Sequence, residues 1–142
     1  MYGYGKNQSL TILPEPRETY VDQQADLPAT FEALKSVLAK HAPNLTVVHD
    51  EPGHYYLDAG YDERWKKNIC FGAVKICKNY VSLYLMAVYG HPALLDGMTE
   101  DLKKRMQGKS CFNFKSITSA QLKELKALTK RAFEAYKRQG WA

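Results

Sequence analysis

The sequence predicts an α+β domain in which an antiparallel sheet carries helices on one face, giving two layers. Three observations lead there. Segments with strand-like alternation crowd the middle of the chain, between residues 45 and 89, and their connections are short enough to favour antiparallel pairing. Amphipathic helical periodicity lies on either side, at 27–41 and 119–139. Too few strand–helix–strand crossovers remain for a doubly wound parallel sheet.

Taken in order, residues 1–25 lack periodicity, and Pro14 and Pro16 interrupt any regular element. They read as a loosely ordered arm with a short strand at 10–13, leaving 26–142 as a single domain. Asp26 is a candidate N-cap and Pro28 falls in the first helical turn, where a missing N–H costs nothing. Phe31, Leu34, Leu38 and His41 then recur at helical spacing, with Val37 widening the stripe, until Pro43 ends it. Strands at 45–49 and 54–59 flank Asp50-Glu51-Pro52-Gly53, a turn by composition. The stretch 61–67 is polar and reads as a loop carrying Trp65.

Two longer strands, 68–77 and 80–89, meet at Lys78-Asn79, where Asn tolerates the positive φ of a primed hairpin turn. In the second, Val81, Leu83, Leu85 and Ala87 share an apolar face suited to the core. Tyr80, Ser82, Tyr84, Met86 and Val88 share the other, amphipathic face. Residues 92–96 can make one helical turn before Gly97. The best-punctuated helix follows: Thr99 as N-cap, Glu100 and Asp101 in the first turn, Lys103, Lys104 and Arg105 in the last, Gly108 as its stop. A strand at 110–115 comes next. Thr118 with Gln121 fits a capping box opening the final helix, whose buried face is Leu122, Leu125, Leu128, Thr129, Ala132, Phe133 and Tyr136, and which Gly140 ends.

Composition bounds the function. The 142 residues are 45% hydrophobic and 25% charged, which suits one packed domain and excludes wholesale disorder. No apolar run reaches the roughly 18–20 residues a membrane span needs, and no apolar segment follows Met1–Lys6 as in a secretory signal. The expected setting is the cytoplasm. A net charge of +5 favours anionic partners, but its cations are spread over helix faces as on a solvated surface. Cys70, Cys77 and Cys111 form no C-x-x-C pair and are expected to be reduced thiols. On one regular strand Cys70 and Cys77, seven apart, would face opposite sides.

No catalytic constellation stands out, and no motif calls for a cofactor. Gly108-Lys109-Ser110 invites comparison with a nucleotide-binding loop, yet position 103 is Lys where that motif needs glycine. The flanking order, helix before and strand after, is also reversed. A weaker anion site survives, in which a backbone N–H, the Ser110 hydroxyl and the Lys109 ammonium converge. His41, His49, His54 and His91 have no i, i+4 partner on a helix, so no metal site is marked locally. The ten tyrosines lack the signature of an RNA-recognition motif, and cross-strand packing accounts for them.

The runs from Phe71 to Met86 and from Leu102 to Phe114 resemble the YdhG-like family of uncharacterised small bacterial domains, through the strand pair, the Leu-Lys-Lys helix and the Gly-Lys-Ser step into an aromatic strand. The resemblance extends over about 27–140. It implies a frataxin-like fold and, for some relatives, a role in handling intracellular iron. The acidic ridge such a role would use is missing: the first helix offers Glu32 against Lys35 and Lys40.

The resulting reading is a non-enzymatic binding domain for a small or anionic ligand or a protein partner. The expected site is the amphipathic sheet face around Tyr84 and Met86, with Lys75, Lys109, Ser110 and Asn113. Iron handling and nucleic-acid binding are the alternatives. A tyrosine-bearing face left open by one-sided helices would also suit a homodimer.

Overall fold

The computed structural model describes residues 26–142; the expected N-terminal arm lies outside the described residues. The architecture is α+β, with a five-stranded, wholly antiparallel sheet in the order β1-β2-β3-β4-β5. Its strands are β1 (Thr46–Glu51), β2 (His54–Asp62), β3 (Lys67–Ile76), β4 (Val81–Leu85) and β5 (Cys111–Phe114). Among the described residues four α-helices accompany them: α1 (Leu27–Ala39), α2 (Met86–Gly90), α3 (Glu100–Lys103) and α4 (Ser119–Arg138).

The long helices begin and end where local chemistry dictates. Asp26 caps α1 by accepting the Ala29 N–H at 3.0 Å. Thr118 and Gln121 form the reciprocal capping box of α4. At the other end of α4, Gly140 adopts φ +82°, the Trp141 N–H donates to the Tyr136 carbonyl and the Gly140 N–H to that of Lys137. That is a Schellman motif, and it turns Trp141 back towards the sheet.

Alternation along the strands sorts the side chains. Tyr55 and Leu57, Val74, then Val81, Leu83 and Leu85, then Phe112 and Phe114 meet α1 and α4 in one hydrophobic core. From α1 come Phe31, Leu34, Val37 and Leu38, and from α4 Leu125, Leu128, Ala132, Phe133 and Tyr136. Gly72 sits where α1 comes closest: a Cβ there would lie 2.8 Å from the Tyr84 carbonyl oxygen and 3.1 Å from a Leu38 methyl.

Several expectations need correction. The strand expected over 80–89 stops at Leu85, and Met86–Gly90 is helical. The burial of both Ala87 and Val88 follows from that helix, not from one face of a strand. The helix expected to run up to Gly108 has four residues. Beyond it, Met106 bridges Phe112, the Gln107 N–H donates to the Cys111 carbonyl, and the Asn113 N–H donates to that of Arg105. Gly108, with φ +81°, therefore turns a small hairpin and does not stop a helix. Lys78-Asn79 is no primed turn either, since Lys66 is the non-glycine residue with positive φ among the described residues. Finally, β3 is irregular: Leu57 pairs with Gly72 but Asp58 with Cys70, so Phe71 is an extra residue. The bulge cancels the odd spacing. Cys70 meets Tyr56 and Cys77 lies by Ser82, on the same sheet face.

Candidate functional site

Each β4 residue from Val81 to Leu85 has a partner in β3 from Ile76 back to Gly72, and there the pairing ends. The first half of β3 continues without β4 beside it, because the chain has turned into α2. A cleft of ≈ 450 Å³ opens at this divergence. Its walls are Asn68, Ile69 and Cys70 of β3, Met86, Ala87, Tyr89, Gly90 and His91 around α2, Tyr56 of β2, and Tyr136 and Trp141 from the end of α4. Trp65 and Lys67 stand at its margin. The size suits a small organic ligand.

Both tryptophans of the chain line this cleft, and one carboxylate holds them there. Asp62 Oδ1 accepts the Arg64 N–H at 2.7 Å and the Trp65 N–H at 3.3 Å, folding the loop 63–66 over itself. Asp62 Oδ2 accepts the Trp141 indole N–H and an Arg64 guanidinium N–H, each at 3.0 Å. The Arg64 guanidinium and these N–H donors hold the Asp62 carboxyl well below its ordinary value, at about 2. Trp141 is fixed again where its carbonyl accepts the Gly60 N–H at 2.6 Å, and its ring meets Tyr136 edge-on at 5.0 Å. Trp65, by contrast, is 64% exposed and Tyr89 61%. One wall is thus locked and two aromatic faces stand free at the mouth.

Three titratable side chains of the cleft, Cys70, Tyr56 and Tyr136, are shifted towards their neutral forms. Burial pushes the Cys70 thiol up, and burial likewise raises Tyr136. Hydrogen bonding to Cys70 together with burial raises Tyr56. Beside them, burial raises the Asp58 carboxyl. A thiol kept protonated is a poor nucleophile. Lys67 lines the cleft, Lys109 Nζ lies 5.9 Å from the centre of the Tyr89 ring, and among the described residues no carboxylate belongs to the lining, Asp62 lying behind the tryptophans and paired with Arg64.

Of the residues expected to form the site, Met86 lines the cleft and Lys109 reaches it through Tyr89. Ser110 is half-buried, its carbonyl accepting the Leu85 N–H at 2.9 Å. The other three lie apart, on the sheet face away from the helices: Lys75 pairs with Ser82 across β3–β4, Tyr84 with Cys111, and Asn113 with Ser82. There Asn113 Oδ1 accepts the Ser82 hydroxyl at 2.6 Å and the Cys111 thiol at 3.3 Å, so its oxygen is already engaged. Sequence reasoning missed Trp65, Trp141, Tyr136 and His91. A usable signal existed in Trp141, a large apolar residue directly after a helix-ending glycine, where a Schellman motif requires a packing contact.

No protein-family model, no curated protein and no solved structure matches this chain.

Proposed function

We propose that the protein is a non-enzymatic binding domain whose ligand is a small aromatic anion, held in the cleft between β3, α2 and the end of α4. The observation that carries this reading is the pairing of two exposed ring faces, Trp65 and Tyr89, with the cations Lys67 and Lys109 at one mouth. A planar ligand can stack on these rings, and its anionic group can meet Lys67 and Lys109. The neutral Cys70, Tyr56 and Tyr136 in the walls support binding of an apolar body and offer no activated nucleophile. The YdhG-like resemblance is compatible with this reading but does not supply the ligand.

The test is a ligand-observed NMR screen of aromatic carboxylates alongside their neutral amides. The carboxylates should give saturation transfer, the amides less. Trp65→Ala and Lys109→Ala should each weaken binding by about tenfold, the size of one lost stacking or charge contact. Equal responses of carboxylates and amides, or unchanged profiles in both variants, would remove the proposal.

A further inference from the structure

A second cluster of ligand-type side chains lies at the β1 edge of the sheet, on the far side of Tyr56 from the cleft that this tyrosine also lines. The Pro52-Gly53 turn joins β1 to β2, with Gly53 at φ +82° as the third position of such a turn requires. The hairpin register pairs Glu51 with His54 and His49 with Tyr56. Because strand residues two apart share a face and paired residues share one too, His49, Glu51 and His54 all project from the face away from the helices.

We propose that His49, Glu51 and His54 bind a divalent transition metal of the zinc class. One ligand atom from each side chain lies within 4.8 Å of the others. Glu51 places Oε2 3.4 Å from His49 Nδ1 and Oε1 3.9 Å from His54 Nδ1. Donors bound to one zinc ion at roughly 2.0–2.1 Å in tetrahedral array lie about 3.4 Å apart. The donors are therefore close to their bound spacing already, and small side-chain rotations complete it. The imidazoles are also held in place: their rings stack at 4.5 Å and 22°, and the Tyr56 ring stands edge-on to both, at 6.1 and 6.5 Å. Ordering of this kind lowers the entropy lost on binding.

The donor set narrows the ion. Two imidazoles and one carboxylate suit zinc, nickel or copper(II) better than calcium or magnesium, which prefer all-oxygen shells. Three protein donors leave a fourth position for water or an exchangeable ligand, as expected with both histidines half-buried and Glu51 exposed. Lys75, the cross-strand partner of His54, is exposed, so its ammonium can remain in water while the ion binds.

Zinc chloride titrated calorimetrically into chelator-treated full-length protein tests the proposal. The competing donors are the three free thiols of Cys70, Cys77 and Cys111, so the titration is repeated on the Cys→Ser triple variant. One equivalent of zinc should bind in both, with the imidazole signals of His49 and His54 shifting in NMR. His49→Ala and Glu51→Gln should each weaken binding at least tenfold while the circular dichroism spectrum is unchanged. Absence of binding overturns the proposal. So does binding that survives both substitutions, or binding lost only with the thiols.

Discussion

The Tyr136 hydroxyl donates a 2.6 Å hydrogen bond to the Cys70 carbonyl, tying the last turn of α4 to the half of β3 that β4 leaves unpaired. The phenol thus anchors α4 to a stretch of β3 that has β2 on one side and no strand on the other. Tyr136 is 2% exposed, and its ring also stands edge-on to Phe71 at 5.4 Å. Tyr136→Phe keeps the ring and removes the donor. It should destabilise the fold by about 0.5–1.5 kcal/mol, the net worth of one intramolecular hydrogen bond. Urea denaturation checks this, with the midpoint lowered and the slope unchanged.

Gly72 offers a sharper test of how closely α1 approaches the sheet. A methyl there meets the Tyr84 carbonyl oxygen at 2.8 Å, an atom fixed by the β3–β4 ladder, as well as Leu38. The backbone must shift, so Gly72→Ala should cost about 1–3 kcal/mol. Gly90→Ala is the control, because a Cβ at that position has nothing within 4 Å. A Gly72→Ala protein as stable as wild type would mean that β4 and α1 do not approach Gly72 this closely.

What the sequence made legible was local. The Asp26 cap, the Thr118–Gln121 box and the Gly140 stop each depend on residues within a turn of one another, and all are present. The apolar alternation of Val81, Leu83 and Leu85 likewise placed the core face. The end of β4 was not legible, because Met86-Ala-Val-Tyr89 is as apolar as the strand before it and periodicity cannot separate a short helix from a strand there. The Phe71 bulge depends on the opposing strand, which no local pattern reveals. The cleft was hidden for the same reason. Asp62 gathers Trp65 and Trp141, and residues 79 apart meet only once α4 has docked.

His41 should give the protein a stability slope just below neutrality. Its ring stacks on Phe133 at 4.7 Å and 26°, and burial, aided by Lys40, lowers its pKa from the ordinary 6.5, with Glu134 opposing. The folded state therefore holds the neutral form, while the unfolded chain takes up a proton first as pH falls. Stability is complete above pH 6.5 and is lost as pH drops below it towards the folded value. Thermal midpoints measured between pH 7.5 and 5 should fall for wild type and change less for His41→Phe. Parallel curves would show that His41 is not the group responsible.

Asp62 should govern a separate window at lower pH. Its carboxyl, ordinarily at 3.8, is held at about 2 by Arg64 and by the N–H donors of Trp65 and Trp141. Here too the unfolded chain binds the proton first, so the contribution is present above pH 3.8 and disappears as pH falls towards 2. Asp62→Asn keeps the size of the side chain but cannot form the ion pair. The variant should be less stable than wild type at pH 7, and the two should converge as pH approaches 2. Because Asp62 also positions both tryptophans, their fluorescence should change at pH 7 in the folded variant, before any unfolding. A variant with wild-type emission and an undiminished acid slope would show that this carboxylate neither sets the acid limit nor holds the aromatic walls of the cleft.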